Sequence, residues 1–188
     1  PFWLGYLKRY NLDVAGNLIV PTNWDAGAVL SNQSASGRNM FTLIGNAREE
    51  FSEFNSTISA THLNAASSTE RNMIINYFRG GEKISEDPVM YWRLGDIFHS
   101  SPLSIATPNL LFYDRWDKSD PKAYNEFRDD HIRTSANGKR LMIVGANDGQ
   151  LHAFRTGELG DGGGAEVWSF IPPNQLRRLK LIAHPSHP

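Results

Sequence analysis

The stretch LMIVGANDGQLHAF, residues 141–154, decides the fold prediction because it joins two apolar runs through a tight polar turn. Its Asp148-Gly149 pair suits a turn that needs a positive φ. The first run, 141–144, is apolar without alternation, which favours a strand covered on both faces. The stretch therefore predicts an interior β-hairpin that belongs to the framework of the protein and not to the edge of an active site.

Composition narrows the class of protein. The 188 residues are 40% hydrophobic and 21% charged, which is typical of a soluble globular chain. A net charge of −1 gives no electrostatic case for nucleic acid or an anionic membrane as the main partner. The absence of cysteine excludes disulfides, thiol catalysis and cysteine-based metal sites. No apolar run predicts a membrane span, and if the protein is exported we expect its signal to have been removed or to lie outside this sequence.

The amino-terminal part carries strand signals. Alternating side chains predict a strand pair over 2–20 with its turn near 15–17. Residues 23–32 are predicted to form a loop with Trp24 as an aromatic anchor, and 38–44 to form a strand. This part is therefore expected to contribute β-structure at two places.

Helix signals follow. Ser67 lies three residues before Glu70, which is the spacing of a capping box, and two glycines at 80–81 provide a stop. We therefore predict a helix over 69–79. Two phenylalanines spaced three apart predict a second, shorter helix over 47–55.

From residue 91 the strand signals return, separated by two long polar loops. Strands are predicted over 91–106 and 165–172, on either side of the hairpin, and the loops cover 112–139 and 156–165. We predict a mainly β fold with some α, divided into an α+β lead-in module (1–88) and the first part of an incomplete, quinoprotein-like β-propeller (89–188). At about 40 to 45 residues per blade, the second part has room for about two blades.

Six segments together resemble one known family. The segments are GYLKRYNLD (5–13), NWDAGAVLSN (23–32), RNMFTL (38–43), WRLGDIFHSSPLSIATP (92–108), VGANDGQLHAF (144–154) and EVWSFIPPNQLRRLKLIAHPSHP (166–188). They are similar to the region that opens the C-terminal propeller in the type IV pilus biogenesis and tip-adhesin family, the PilY/PilC group. The resemblance spans nearly the whole chain. Each segment alone is a weak signal, but the segments taken together in this order are specific.

The resemblance implies a secreted, Gram-negative protein at the outer-membrane surface, the pilus tip or the extracellular space. A member of this family would support assembly of the pilus (fimbrium), counter its retraction during twitching motility and mediate cell adhesion. Minor pilins, the pilus machinery, a host or abiotic surface, and further blades C-terminal to this chain would be its partners. Loops 112–139 and 156–165 are the expected binding surfaces, because long loops on a rigid sheet commonly carry function.

The family resemblance does not assign a metal or cofactor to any residue. Its calcium loop is a run of acidic residues at alternate positions that belongs to a later part of the propeller, and no such run occurs in the 188 residues. Calcium therefore stays a property of the family, and no cofactor is identifiable in this chain.

The enzymatic alternative is a fragment of a pyrroloquinoline quinone dehydrogenase, whose propeller blades also resemble GANDGQLHAF followed by a tryptophan strand. Those blades typically carry Ala-x-Asp, but here Phe154 and Arg155 follow Ala153. The Thr-Gly pair at 156–157 is also far from Trp168, which is predicted to be a core residue. We therefore predict a protein that is not an enzyme.

Three further groups suggest chemistry but favour structural interpretations. Asp96, His99 and Ser100 are sequence neighbours, and a catalytic triad is instead assembled by the fold. Of the six histidines, only His184 and His187 are close in sequence. The prolines beside them prevent the helix on which such a pair would share one face and bind a metal. The aspartates of YDRWDKSD recur every three residues, whereas a calcium loop alternates. The residues concerned are His62, His99, His131, His152, His184, His187, Asp114, Asp117 and Asp120.

We therefore assign no catalytic, cofactor-binding or metal-binding residue. Because an incomplete propeller leaves strand edges unpaired, we also expect residues 1–188 in isolation to self-associate or to need further sequence.

Overall fold

The computed structural model describes residues 4–81, 92–109, 116–119 and 122–183. Its strands and helices follow in chain order. They are β1 (Lys8–Leu12), β2 (Leu18–Asp25), α1 (Ala26–Ser31), β3 (Met40–Ile44), β4 (Ala47–Glu50), α2 (Ser68–Arg79), β5 (Leu103–Ile105), α3 (Ala123–Asp130), β6 (Leu141–Gly145), β7 (Leu151–Arg155), β8 (Glu166–Phe170) and α4 (Leu179–Ile182).

The main sheet has six strands in the order β4-β3-β8-β7-β6-β5, and β1 and β2 form a separate ribbon. All neighbours in the main sheet are antiparallel except β3 and β8, which are parallel. The sheet takes β3 and β4 from before residue 88 and its other strands from after it. The described residues thus form a mixed, β-rich fold with an open sheet, while the propeller and the division at 88/89 stay predictions.

The hairpin at 141–154 is confirmed. β6 and β7 pair from Leu141 opposite Arg155 to Gly145 opposite Leu151. Gly149 has a φ of 83°, the left-handed conformation that the turn requires. The prediction that both faces of β6 are covered is wrong for most of the strand, because among its residues only Val144 reaches a buried core cluster. The buried strand is β7.

The helix predicted over 69–79 is confirmed as α2. The Ser67 hydroxyl accepts a hydrogen bond from the Glu70 backbone N–H at 3.1 Å, and Gly80 ends the helix with a φ of 82°. The buried face of α2 packs on the main sheet in a first core cluster. That cluster contains Met40, Phe51, Ile58, Leu63, Ile74, Ile75, Phe78, Ile171, Leu176, Leu179 and Ala183. No helix in the described residues has both the length and the apolar character to span a bilayer.

Two local predictions in the first half are wrong. Residues 47–50 form β4 instead of a helix, because Gly45 turns the chain with a φ of 60° and returns it along β3. Phe51 then enters the core while Phe54 is 90% exposed, so the two rings do not share a helical face. Residues 26–31 form α1 instead of a loop, since the Asp25 carboxylate accepts the Gly27 N–H at 2.9 Å and caps the helix.

A second core cluster lies on the side of the sheet near the ribbon. It contains Trp24, Ala26, Leu30, Leu94, Val144 and Phe154. Trp24 is therefore the aromatic anchor that the sequence predicted. Trp168 is only partly buried, so its prediction as a core residue is wrong. The burial pattern of β8 instead directs Glu166 and Ser169 inward.

Candidate functional site

Four charged side chains meet in the interior, and we call them the charge tetrad: Arg38, Asp148, His152 and Glu166. Arg38 precedes β3, Asp148 lies in the β6–β7 turn, His152 is on β7, and Glu166 begins β8. All four are buried, and the His152 side chain has no exposed surface. Because burying an unpaired charge costs several kcal/mol, their pairing determines whether this part of the fold is stable.

The tetrad is a continuous chain of short ion pairs. Arg38 donates from Nε and Nη2 to the two carboxylate oxygens of Glu166, at 2.7 and 2.9 Å, in a bidentate arrangement. The Glu166 Oε1 atom also lies 2.7 Å from Nδ1 of His152. The other ring nitrogen of His152, Nε2, lies 2.9 Å from Oδ2 of Asp148. Each charge thus has an opposite charge as its neighbour.

The geometry fixes the protonation state of His152. A neutral imidazole has a single N–H, so only the imidazolium can donate to Glu166 and Asp148 together. Burial by itself would lower the pKa of His152, but the two carboxylates outweigh it and raise that pKa to about 9. Burial would likewise raise the pKa of Glu166, but Arg38 and His152 outweigh it and lower that pKa to about 2. At neutral pH the tetrad therefore alternates in sign and has no net charge.

The tetrad also holds backbone segments that are distant in sequence. Asp148 accepts the N–H of Gly95 and the N–H of Gln150, both at 3.0 Å. Arg38 Nη1 donates to the carbonyl of Phe78 near the end of α2 at 2.6 Å. The tetrad thus connects the segment around residue 95 and α2 with the main sheet.

Gly95 shows how closely these segments approach. A Cβ atom at this position would lie 2.4 Å from the Asp148 backbone nitrogen, which is closer than van der Waals contact permits. The glycine is therefore required by the packing of its segment on the hairpin turn.

The arrangement is suited to holding segments together. Both ring nitrogens of His152 are already bonded to carboxylates, so neither is available to take a proton from a substrate. General-base catalysis requires such an available nitrogen within hydrogen-bond reach of the substrate. The geometry therefore favours a structural role for this histidine.

The structure does not assemble Asp96, His99 and Ser100 into a triad. His99 is exposed and packs edge-on against the ring of Phe98. The Ser100 hydroxyl accepts the Gly145 N–H at 3.0 Å, and the Asp96 carbonyl accepts the N–H of Asn147 at 3.0 Å. The segment is thus bound to the hairpin through ordinary structural hydrogen bonds.

Asp117 is the aspartate of the YDRWDKSD segment that the structure describes. The Asp117 carboxylate accepts hydrogen bonds from the Ser119 hydroxyl and from the backbone N–H groups of Tyr124 and Ser119, and these bonds lower its pKa. Among the described residues, no three His, Asp or Glu side chains form a group that could hold a metal ion. The positions 114, 120, 184 and 187 lie outside the described residues.

The predicted binding loop 156–165 is bound to the ribbon. The Trp24 indole N–H donates to the Gly157 carbonyl at 2.9 Å, and Arg9 forms an ion pair with Glu158. A Cβ on Gly163 would lie 2.7 Å from the indole nitrogen, and a Cβ on Gly164 would lie 3.1 Å from the ring. The glycines therefore make room for the Trp24 ring. The triple glycine at 162–164 was the signal in the sequence for this close approach.

The predicted binding loop 112–139 contains α3, a helix with no buried residue. Three aromatic side chains follow one side of it. The Tyr124 and Phe127 ring centroids are 6.2 Å apart, and those of Phe127 and His131 are 4.2 Å apart. Of these three rings, that of Phe127 is exposed and those of Tyr124 and His131 are partly buried.

Sequence reasoning missed the tetrad as a site, although one signal was present. His152 lies within an apolar strand, between Leu151 and Ala153, and a buried polar residue in such a place needs partners. Its partner Glu166 occupies the first position of β8 and Arg38 precedes β3, but nothing local in the sequence relates these positions to one another.

Comparison with known proteins finds relatives that share one name. The type IV pilus biogenesis factor PilY1 of Pseudomonas aeruginosa (strain UCBPP-PA14) is 27% identical over 192 residues, which cover 96% of this chain and 16% of the relative. A PilY1 homolog of Xylella fastidiosa (strain Temecula1) is 29% identical over 183 residues, 94% of this chain and 13% of the relative. PilY1 of Pseudomonas aeruginosa strain PAO1 is 28% identical over 198 residues, 96% of this chain and 16% of the relative.

The chain thus spans about a sixth or less of the length of these relatives. No family model and no solved structure matches it. The predicted resemblance to the PilY group is confirmed, because this chain is similar over nearly its whole length to part of the type IV pilus biogenesis factors named PilY1, while the propeller stays a prediction.

Proposed function

We propose that this chain is a structural, non-catalytic segment of a type IV pilus biogenesis protein of the PilY1 kind. The observation that carries the proposal is the similarity to proteins of that name over 94–96% of the chain. The geometry agrees with it. Gly95, Asp148, His152 and Glu166 all come from the motifs that carry the resemblance, and all four meet in the interior.

We propose further that the part after residue 88 opens a β-propeller. The support is that β5, β6, β7 and β8 form four consecutive antiparallel strands, which is the content of one propeller blade. Further blades C-terminal to this chain would complete such a propeller.

The proposed setting is an exported protein at the bacterial surface or the pilus tip. There it would support pilus assembly, counter retraction and attach the cell to a host or abiotic surface, with minor pilins and the pilus machinery as partners. The described part of loop 112–139, with the exposed Phe127 ring on α3, is the surface we propose for attachment, because aromatic residues are enriched at protein interfaces.

A chimera tests the biogenesis role. In Pseudomonas aeruginosa lacking its own PilY1, the matching segment of PilY1 would be replaced by this chain, and surface pilin would be measured in the sheared fraction together with twitching. We expect both to be restored. A chimera that accumulates to the level of the parent protein without restoring surface pilin would overturn the proposal.

Matched variants show whether the intact fold is what the chimera requires. Arg38→Met removes the bidentate partner of Glu166, whereas Phe54→Ser alters a side chain that is 90% exposed. We expect the first to abolish restoration and the second to preserve it.

The absence of catalysis is tested separately. Purified chain would be supplied with pyrroloquinoline quinone and calcium, and dye-linked oxidation of alcohols and sugars would be followed. We expect no turnover above that of free quinone, and quinone-dependent turnover that requires the chain would replace our proposal with the dehydrogenase alternative.

A further inference from the structure

In the described part of the chain, the β1–β2 ribbon is held to the rest of the protein from its base as far along as Asn11, whose side chain is hydrogen-bonded to Glu158. There the Ala26 N–H donates to the Leu7 carbonyl at 2.9 Å, and Arg9 forms an ion pair with Glu158. Among the described residues, no third strand pairs with the ribbon. At the far end of the ribbon, the outer edges of both strands therefore have no strand partner within the described ranges.

Five exposed aliphatic side chains lie at that far end, and we call the four most exposed of them the apolar tip: Leu12, Val14, Leu18 and Val20. Leu12 and Leu18 are directly opposite each other in the register, so they share a face, and Val20 lies two residues further along the same face. These three are 60–73% exposed, and Val14 in the turn is fully exposed. Exposed aliphatic side chains that cluster on one face of a ribbon are typical of an interaction surface.

The turn that carries the apolar tip is already ordered. The Asp13 Oδ1 atom accepts the N–H groups of Ala15 and Asn17 at 2.9 and 2.8 Å, and the Asn17 amide donates to Oδ2 at 3.0 Å. Gly16 supplies the positive φ, 86°, that this turn needs. Because the surface is ordered before it binds, association would lose little conformational entropy.

The charges around the tip limit what can cover it. Between residues 10 and 23 the only charged side chain is Asp13, and its carboxylate already accepts three hydrogen bonds within the turn. The two cations nearest in sequence, Lys8 and Arg9, face Asp25 and Glu158. The tip thus lacks the free positive charge that an anionic membrane or an acidic partner would require.

We propose that the apolar tip is a docking surface for the same tip of a second copy of this chain. A two-fold arrangement brings identical surfaces together, and these surfaces are apolar and nearly free of charge, so they are complementary to themselves. The unpaired edge of either strand can add backbone hydrogen bonds across the two-fold axis. The net charge of −1 offers little long-range repulsion between copies. The proposal does not depend on a role in pilus biogenesis.

Sedimentation velocity over a concentration series of residues 1–188 tests this inference. We expect a reversible dimer whose dissociation constant rises at least about tenfold in the double variant Leu18→Lys with Val20→Lys, because like charges then face each other. The matched control is Phe54→Lys, a similar change at a remote exposed position, for which we expect less than about a twofold effect.

Val14→Lys provides a second variant that preserves folding, since this side chain is fully exposed and lies outside both strands. It should also weaken the dimer, and circular dichroism would verify that each variant is folded. A wild-type chain that is monomeric throughout the series would overturn the inference. So would a dimer that survives both tip variants but dissociates on Leu103→Lys, because the contact would then be the β5 edge of the main sheet.

Discussion

The charge tetrad buries four ionised side chains, whereas the apolar tip exposes four aliphatic ones, which is the reverse of the usual distribution in both places. In the tetrad every charge has an opposite charge within 2.9 Å. At the tip, the aliphatic groups have little packing against the rest of the described chain. The first region thus depends on contacts within the fold, and the second is available for contacts outside it.

This difference predicts that folding stability depends on the tetrad and that association depends on the tip. Removing one member of a buried ion pair leaves its partner buried and uncompensated, which is strongly destabilising. Changing an exposed side chain leaves the folding equilibrium almost unchanged. Substitutions in the tetrad should therefore act on the free energy of unfolding, and substitutions at the tip should act on association.

The largest effect is expected for Arg38→Met. This change removes the bidentate donor of the Glu166 carboxylate, which keeps only His152, and it removes the arginine donor of the Phe78 carbonyl. We expect a loss of about 3–5 kcal/mol in the free energy of unfolding. Urea denaturation followed by tryptophan fluorescence would measure it.

Arg48→Met is the matched control, because it removes an arginine from an exposed position on β4. Its guanidinium lies 4.8 Å from the centre of the Phe41 ring, so we expect a loss of at most about 1 kcal/mol. Equal losses in the two variants would contradict the role assigned to the tetrad.

The pH dependence of stability should come next in size. Because the pKa of His152 is raised from 6.5 to about 9 on folding, its contribution is complete below pH 6.5 and is lost as the pH rises through 9. A shift of this size corresponds to about 3 kcal/mol. For Glu166 the pKa is lowered from 4.5 to about 2, so its contribution is present above pH 4.5 and is lost as the pH falls towards 2.

Chemical denaturation at a series of pH values would check both limbs. His152→Gln should flatten the alkaline limb, since glutamine does not titrate. An unchanged alkaline limb in that variant would show that another group is responsible.

A smaller loss is expected for Gly95→Ala. The added Cβ would meet the Asp148 backbone nitrogen at 2.4 Å, so the segment must move away from the hairpin turn. We expect about 1–3 kcal/mol of destabilisation, which is typical of overpacking. Gly160→Ala is the control, because a Cβ there would meet nothing within 4 Å. Thermal unfolding would compare the two, and similar midpoints would refute the close approach.

The sequence predicted those parts of the fold that local signals determine. The hairpin turn at Asp148-Gly149 and the capped helix α2 are each determined by residue types within a few positions of one another. The helix predicted over 47–55 was wrong because tertiary pairing with β3 overrode the spacing of two phenylalanines. Local pattern is thus reliable where a turn or a cap fixes the backbone, and weaker where packing decides.

The tetrad could not be predicted in the same way. Arg38 and Glu166 are separated by 128 positions, and they meet because β3 and β8 pair in parallel across the middle of the main sheet. No periodicity or motif specifies that pairing. The apolar character of the tip was visible in the sequence, but its exposure depends on the ribbon having no further strand among the described residues.

The smallest effect on the free energy of unfolding is expected for substitutions at the apolar tip. Val14→Ser removes an aliphatic group that is fully exposed, so the free energy of unfolding of the monomer should change by less than about 0.5 kcal/mol. Urea denaturation at low protein concentration would measure this value, and sedimentation of the same variant would measure the dimer. A weakened dimer with unchanged folding would place the tip among association surfaces. A loss of folding stability as large as that of Gly95→Ala would mean instead that Val14 contributes to the folded monomer, and the distinction drawn between the tetrad and the tip would fail.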